Sequence, residues 1–127
     1  MQQLIINAKK DLNSVGGIVE SKIINVPVGL GEPYFLSVES YLSQLQFSVP
    51  AVKGIEFGRG FEFANHFGSE VNDQYEMVNN KVGVLSNNNG GILGGLATGN
   101  PIVLRVAIKP TSSISKKQKS VDSYRLF

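Results

Sequence analysis

Between residues 86 and 121 the chain places two glycine doublets, Gly90-Gly91 and Gly94-Gly95, directly behind three asparagines, Asn87, Asn88 and Asn89. No regular element runs easily through such a stretch. Glycine loses more backbone freedom on ordering than any other residue and is suited to positive φ or to close backbone approach. The next segment is opposite in character. Apart from Arg105, residues 102–108 are apolar, and four of the seven are β-branched, so they predict a strand. That strand delivers Lys109, Pro110, Thr111, Ser112 and Ser113 to one point. One cation with three hydroxyls and nearby amide donors suits the oxygens of a phosphate group. Spacing alone favours a plainer reading, an exposed strand-end lysine followed by an ordinary turn.

The remaining apolar patterning predicts a helix over residues 3–13, where Leu4, Ile5, Ala8 and Leu12 share a face, with Gly16-Gly17 ending it. A strand is expected over 18–26 and a turn-rich loop over 27–33. Phe35, Val38, Leu42 and Leu45 recur at helical spacing, so 34–46 reads as an amphipathic helix stopped by Pro50. Residues 51–57 read as a strand with Val52, Ile55 and Phe57 apolar, and 60–67 as a short helix. The polar stretch 68–89 has weak strand character at 75–78 and 82–85, and the Ser- and Lys-rich 112–120 reads as loop. The sum is an α+β unit spanning 1–127, a largely antiparallel sheet with helices on one face.

Composition narrows the function classes. Hydrophobic residues make up 42% of 127, enough for one compact core. A net charge of +2 is too small to argue for a nucleic-acid partner, and no aromatic RNA-binding motif is present. With no cysteine and a single histidine, neither disulfides nor a zinc cluster are expected. No apolar run reaches membrane-spanning length and no signal-peptide pattern opens the chain, so a cytoplasmic protein is expected. The carboxylates Glu56, Glu62, Glu70 and Asp73 are scattered rather than paired, which speaks against acid/base work. His66 reads as a surface or half-buried histidine. Lys116, Lys117 and Lys119 read as a solvated loop.

Five segments in fixed order resemble chorismate synthases. Val15-Gly16-Gly17-Ile18-Val19-Glu20 and Val26-Pro27-Val28-Gly29-Leu30-Gly31-Glu32-Pro33 are similar to the family's G-G-x-V-E and V-P-x-G-L-G-E-P segments. Ala51-Val52-Lys53-Gly54-Ile55-Glu56-Phe57-Gly58 resembles its A-V-K-G-x-E-x-G strand, and Gly68-Ser69-Glu70 with Asn72-Asp73 its G-S-E-x-N-D loop. The stretch from Ser86 through Lys109 and the hydroxyl turn completes the match, which runs from about Lys10 to Asp122. Asn89, where the family usually has alanine, and Val71, where a polar residue is commoner, depart from the pattern.

The resemblance implies a fold in which helices lie between two antiparallel sheets, this chain supplying roughly one sheet-and-helix half. It implies elimination of phosphate from 5-enolpyruvylshikimate 3-phosphate to give chorismate, in aromatic amino acid biosynthesis, with reduced FMN as cofactor. It places Ala51, Gly94, Lys109, Pro110, Thr111, Ser112 and Ser113 against the flavin. It gives no catalytic residue within the chain, because the family's G-E-S-H-G, R-S-S-A-R and G-R-H-D-P motifs are not found. A piece of a longer enzyme, inactive alone, is therefore expected. The alternative is a non-catalytic binding or assembly module that keeps part of the fold. Family members are typically tetramers, and an uncovered helix face would favour self-association.

Overall fold

A strongly apolar strand at the centre organises the molecule. The computed structural model describes residues 1–78 and 80–121, so Asp122, the end of the family-like stretch, lies outside the described residues. β7 (Ile102–Ile108) is flanked on both sides by antiparallel partners, β1 (Gly17–Ile23) and β2 (Val52–Phe57), giving the order β1-β7-β2. Its alternation is plain: Ile102, Leu104 and Val106 are 2%, 2% and 5% exposed, and they face one side. The opposite side carries Glu56, Arg105 and Glu20 in one cross-strand row, with Arg105 Nε 2.9 Å from Glu56 Oε1.

β2 breaks the period-two rule in its sequence, since Val52, Ile55 and Phe57 are not evenly spaced. The register explains it. Val52 pairs with Ile108 and Gly54 with Ala107, so Lys53 is the extra residue of a β-bulge. The bulge puts Val52, Ile55 and Phe57 opposite Ile108, Val106 and Leu104, all on the core side.

α2 (Val38–Phe47) covers that side. Val38 and Leu42 join Val52, Ile92, Ile102, Leu104 and Val106 in one apolar cluster. The amphipathic segment is not one helix, because Ser37 interrupts it. Residues Tyr34–Leu36 form a 3₁₀ turn, and Ser37 caps α2 by accepting the Ser40 N–H at 3.1 Å. β1 is also shorter than its apolar run. It ends at Ile23, and Asn25 takes φ 60°.

α1 (Gln2–Lys10) ends before Gly16-Gly17, with Leu12 at φ 54°, and it buries no residue. A 3₁₀ helix (Gly60–Asn65), the short α3 (Gly68–Val71) and the hairpin β3 (Tyr75–Val78)–β4 (Lys81–Val84) come after β2. A second small hairpin, β5 (Ile92–Leu93) and β6 (Leu96–Ala97), precedes β7. Much apolar surface stays open: Phe35, Phe61 and Phe67 are 93%, 84% and 79% exposed. No helix among the described residues is long and apolar enough to cross a membrane.

Candidate functional site

β7 has two very different ends, and the candidate ligand-binding residues divide between them. At its C-terminal end Lys109 leaves the sheet while its N–H still bonds the Ala51 carbonyl at 2.8 Å. Ala51 sits in the tight corner between α2 and β2, at φ 72°, a region costly for a residue with a Cβ. Lys109, Pro110, Thr111, Ser112 and Ser113 are all exposed. Ala51 and the turn 109–113 are therefore neighbours. The turn continues into a groove of about 450 Å³ whose walls are α1, through Ile5 and Ala8, Leu12 in the turn after it, and Ser113, Ile114 and Ser115. Lys116 Nζ, just after Ser115, meets Asp11 Oδ2 at 2.7 Å. The hydrogen bond and charge of Lys116 hold the Asp11 carboxyl below its ordinary value.

At the N-terminal end of β7 the glycine-rich stretch is folded back on the protein. Gly90, at φ 64°, lies so close to Gly58 that a Cβ on either would overlap the other's backbone. The doublet Gly94-Gly95 forms the tip of the β5–β6 hairpin, with φ 60° and 84°, as a two-residue turn of the primed kind requires. The two glycines do different things. A Cβ on Gly95 would meet Ser37 Cβ at 2.8 Å, and the Gly95 carbonyl accepts the Val38 N–H at 3.0 Å, docking the hairpin on the start of α2. A Cβ on Gly94 would meet nothing within 4 Å. Its backbone is open to a ligand.

Gly94 is thus fixed to the first turn of α2, while Ala51 lies just beyond its last. The helix between them is ten residues long, which separates the two by on the order of 15 Å. The structure brings Ala51 together with the turn 109–113 and leaves Gly94 at the opposite end.

Asp73 organises that opposite end. Its carboxylate accepts from Ser86 Oγ (2.6 Å), Asn88 N (2.7 Å), Asn89 N (2.9 Å) and Asn89 Nδ2 (2.8 Å). Asn88 in turn accepts from Arg59, through Nε on its side chain (2.6 Å) and through the peptide N–H on its carbonyl (2.9 Å). Burial works to raise the Asp73 pKa, but the bonds from Ser86, Asn89 and Asn88 outweigh it and the value lies below the usual range. Beside it is a cavity of about 270 Å³ of mixed lining, with Asn72, Asn89, Thr98 and Asn100 on its polar side and Val84 and Leu93 on its apolar side.

This role of Asp73 is not visible when carboxylates are weighed only as acid/base pairs. The signal in the sequence is Asn72-Asp73 ahead of the asparagine run. His66 lies between Glu62 and Glu70, at 3.6 and 3.5 Å, with its side chain 30% exposed. Among the described residues, no group of three or more His, Cys, Asp or Glu side chains could hold a metal ion.

Comparison with known proteins agrees with this architecture. A family model described as chorismate synthase matches residues 1–125. The chain is 49% identical over 122 residues to the chorismate synthase of Korarchaeum cryptofilum, covering 96% of this chain and 34% of that protein. It is 52% identical over 115 residues to that of Pyrococcus abyssi, covering 91% and 32%. A solved structure, a crystal structure of chorismate synthase, superposes with a TM-score of 0.81 at 39% identity, over 86% of this chain and 34% of that one. The chain thus spans about a third of the length of the curated relatives it matches. By its sequence and its fold, it belongs to the chorismate synthase family.

Proposed function

We propose that this chain carries one wall of the flavin site of a chorismate synthase, a carbon–oxygen lyase that eliminates phosphate from 5-enolpyruvylshikimate 3-phosphate to give chorismate. The observation that carries the reading is the grouping of Ala51 with Lys109, Pro110, Thr111, Ser112 and Ser113 on one exposed edge. An ammonium and three hydroxyls that are open to solvent match the acceptor-rich, anionic phosphate of FMN. The accessible backbone at Gly94 fits close contact with a flat ring. Because Gly94 and the turn lie at opposite ends of α2, one compact group does not touch both. FMN, a ring joined to a phosphate by a ribityl chain, has two separated ends.

When bound in its reduced form, such a flavin supplies electron density to the breaking carbon–oxygen bond. The residues of this chain bind and orient. Lys109 offsets negative charge, the three hydroxyls and the turn amides donate to oxygens, and Ala51 keeps the Lys109 backbone in place. None of them is assigned a proton-transfer role. By itself the 127-residue chain is expected to bind FMN weakly and to form no chorismate. A titration of FMN fluorescence against the chain, with an assay of chorismate formation under reducing conditions, tests both statements. Tight stoichiometric quenching or measurable turnover would contradict them.

The open apolar surface favours self-association as well. Leu4, Ile5 and Ile6 of α1 are 59%, 49% and 47% exposed, and Tyr41, Leu45 and Phe47 of α2 are 57%, 49% and 52% exposed. Sedimentation at several concentrations is expected to show species larger than a monomer, and a monomer throughout would refute it.

A further inference from the structure

We propose that Ser14 and Gly16 are positioning residues that hold the turn 109–113 in its ligand-accepting shape. The proposal rests on reading that turn as the flavin-phosphate site. The turn cannot hold itself. Among the described residues, 110–113 make no backbone hydrogen bond to one another, and Pro110 contributes no N–H at all. Its shape comes from the two chain segments beside it.

On the β2 side the support is the bond from Lys109 N–H to the Ala51 carbonyl. On the β1 side it is denser. Ser14 Oγ donates to the Thr111 carbonyl at 2.6 Å, across 97 residues of sequence. Two residues later, Gly16 is pressed against the same segment. A Cβ there would overlap the Ile108 carbonyl oxygen and lie 2.9 Å from Pro110 Cδ. Beyond the turn, Lys116 N–H bonds the Leu12 carbonyl at 3.1 Å. The stretch from Leu12 to Gly16 therefore runs alongside the chain that leaves β7, as an irregular continuation of the β1–β7 pairing that begins at Gly17 and Ile108.

Among the described residues, the Ser14 bond is the one side-chain hydrogen bond that reaches the turn itself, and it takes the carbonyl of Thr111. That leaves the Thr111 hydroxyl, with Ser112 and Ser113 after it, exposed. Ordering a flexible residue costs conformational entropy. A turn ordered in advance spares a ligand that cost, and affinity gained this way is preorganisation. Ser14 acts through Thr111 and touches no ligand itself. Gly16 acts by absence, since any side chain would push Pro110 and the turn away from β1.

The test uses the 127-residue chain, labelled with ¹⁵N, as wild type, Ser14→Ala and Ser14→Thr. Backbone order parameters are measured at Thr111, Ser112 and Ser113 and across β1, β7 and β2, and each protein is titrated with FMN. In the wild type the turn is expected near the rigid value of about 0.85. In Ser14→Ala it is expected to fall toward about 0.6, with the sheet unchanged. Ser14→Thr, which keeps the hydroxyl, is expected to restore order. FMN affinity is expected to weaken up to about tenfold in Ser14→Ala, the scale of one hydrogen bond, and to recover in Ser14→Thr.

A turn as rigid in Ser14→Ala as in the wild type would overturn the proposal. So would loss of order spread evenly over the sheet, or a threonine that fails to rescue. If the wild type binds no FMN, the flavin reading fails in this chain. The order parameters still decide whether Ser14 positions the turn.

Discussion

The two ends of β7 solve different problems. At the Ile102 end, three loops are interlocked through Asp73, Asn88, Arg59 and the apposed backbones of Gly58 and Gly90. At the Lys109 end the chain is exposed and is held from outside, by Ala51, Ser14 and Gly16. The first arrangement turns its carboxylate and the amides around it on itself. An ionised carboxylate has about four acceptor positions, and Asp73 fills them with protein donors. The second leaves its ammonium and hydroxyls open. A region rich in glycine, asparagine and aspartate can thus be a structural knot, while a short Lys-Pro-Thr-Ser-Ser turn at the other end of the same strand keeps its polar side chains exposed.

The contrast can be broken most forcibly at the knot. Gly58→Ala adds a Cβ that would overlap the Asn88 carbonyl, on a backbone at φ 55°. Strain and overpacking together are expected to remove about 3 kcal/mol or more of stability, read from urea unfolding. A variant as stable as the wild type would mean the loops are not interlocked. Next comes Asp73→Ala, which leaves the Asn88 and Asn89 amides without a charged acceptor and is expected to cost about 2–3 kcal/mol.

Acid should act on the same group. Its carboxyl lies below its ordinary value in the folded state, so the stabilisation is complete above the unfolded value of about 3.9. It is lost as pH falls below that value and through the folded one. Asp73→Asn is expected to flatten the acid limb of a stability profile below about pH 4, and an unchanged limb would contradict the assignment. The smallest effect is expected at the other end. Asp11 and Lys116 form an exposed pair, and such pairs contribute little. Lys116→Ala should leave the melting temperature where it was.

Much of the sheet was legible in the sequence. The run Ile102–Ile108 is apolar enough to be a central strand, and it is one. β2 was legible in position but not in register, because the bulge at Lys53 shows only as uneven spacing of Val52, Ile55 and Phe57. The break at Ser37 was hidden because the apolar spacing runs straight through a residue that caps instead of continuing the helix. Of the site, Ala51 and the turn 109–113 could be grouped from the family motifs, and the register explains why they meet: both lie where β2 and β7 pair at Val52 and Ile108. What sequence could not give was the division of the glycine doublets, Gly95 packed on Ser37 and Gly94 open. That depends on where a distant helix begins.

Under the proposed function, the decisive question is which end of β7 would meet the flavin phosphate. The most direct measurement is a titration of the ¹⁵N-labelled chain with FMN, tracking amide shifts residue by residue, since weak binding suffices for it. Shifts concentrated at Ala51, Lys109, Thr111, Ser112 and Ser113, with Gly94 at the ring end, and lost in Lys109→Ala, are the predicted result. Shifts confined to the cavity beside Asp73 and Asn89, or unaffected by Lys109→Ala, would contradict it.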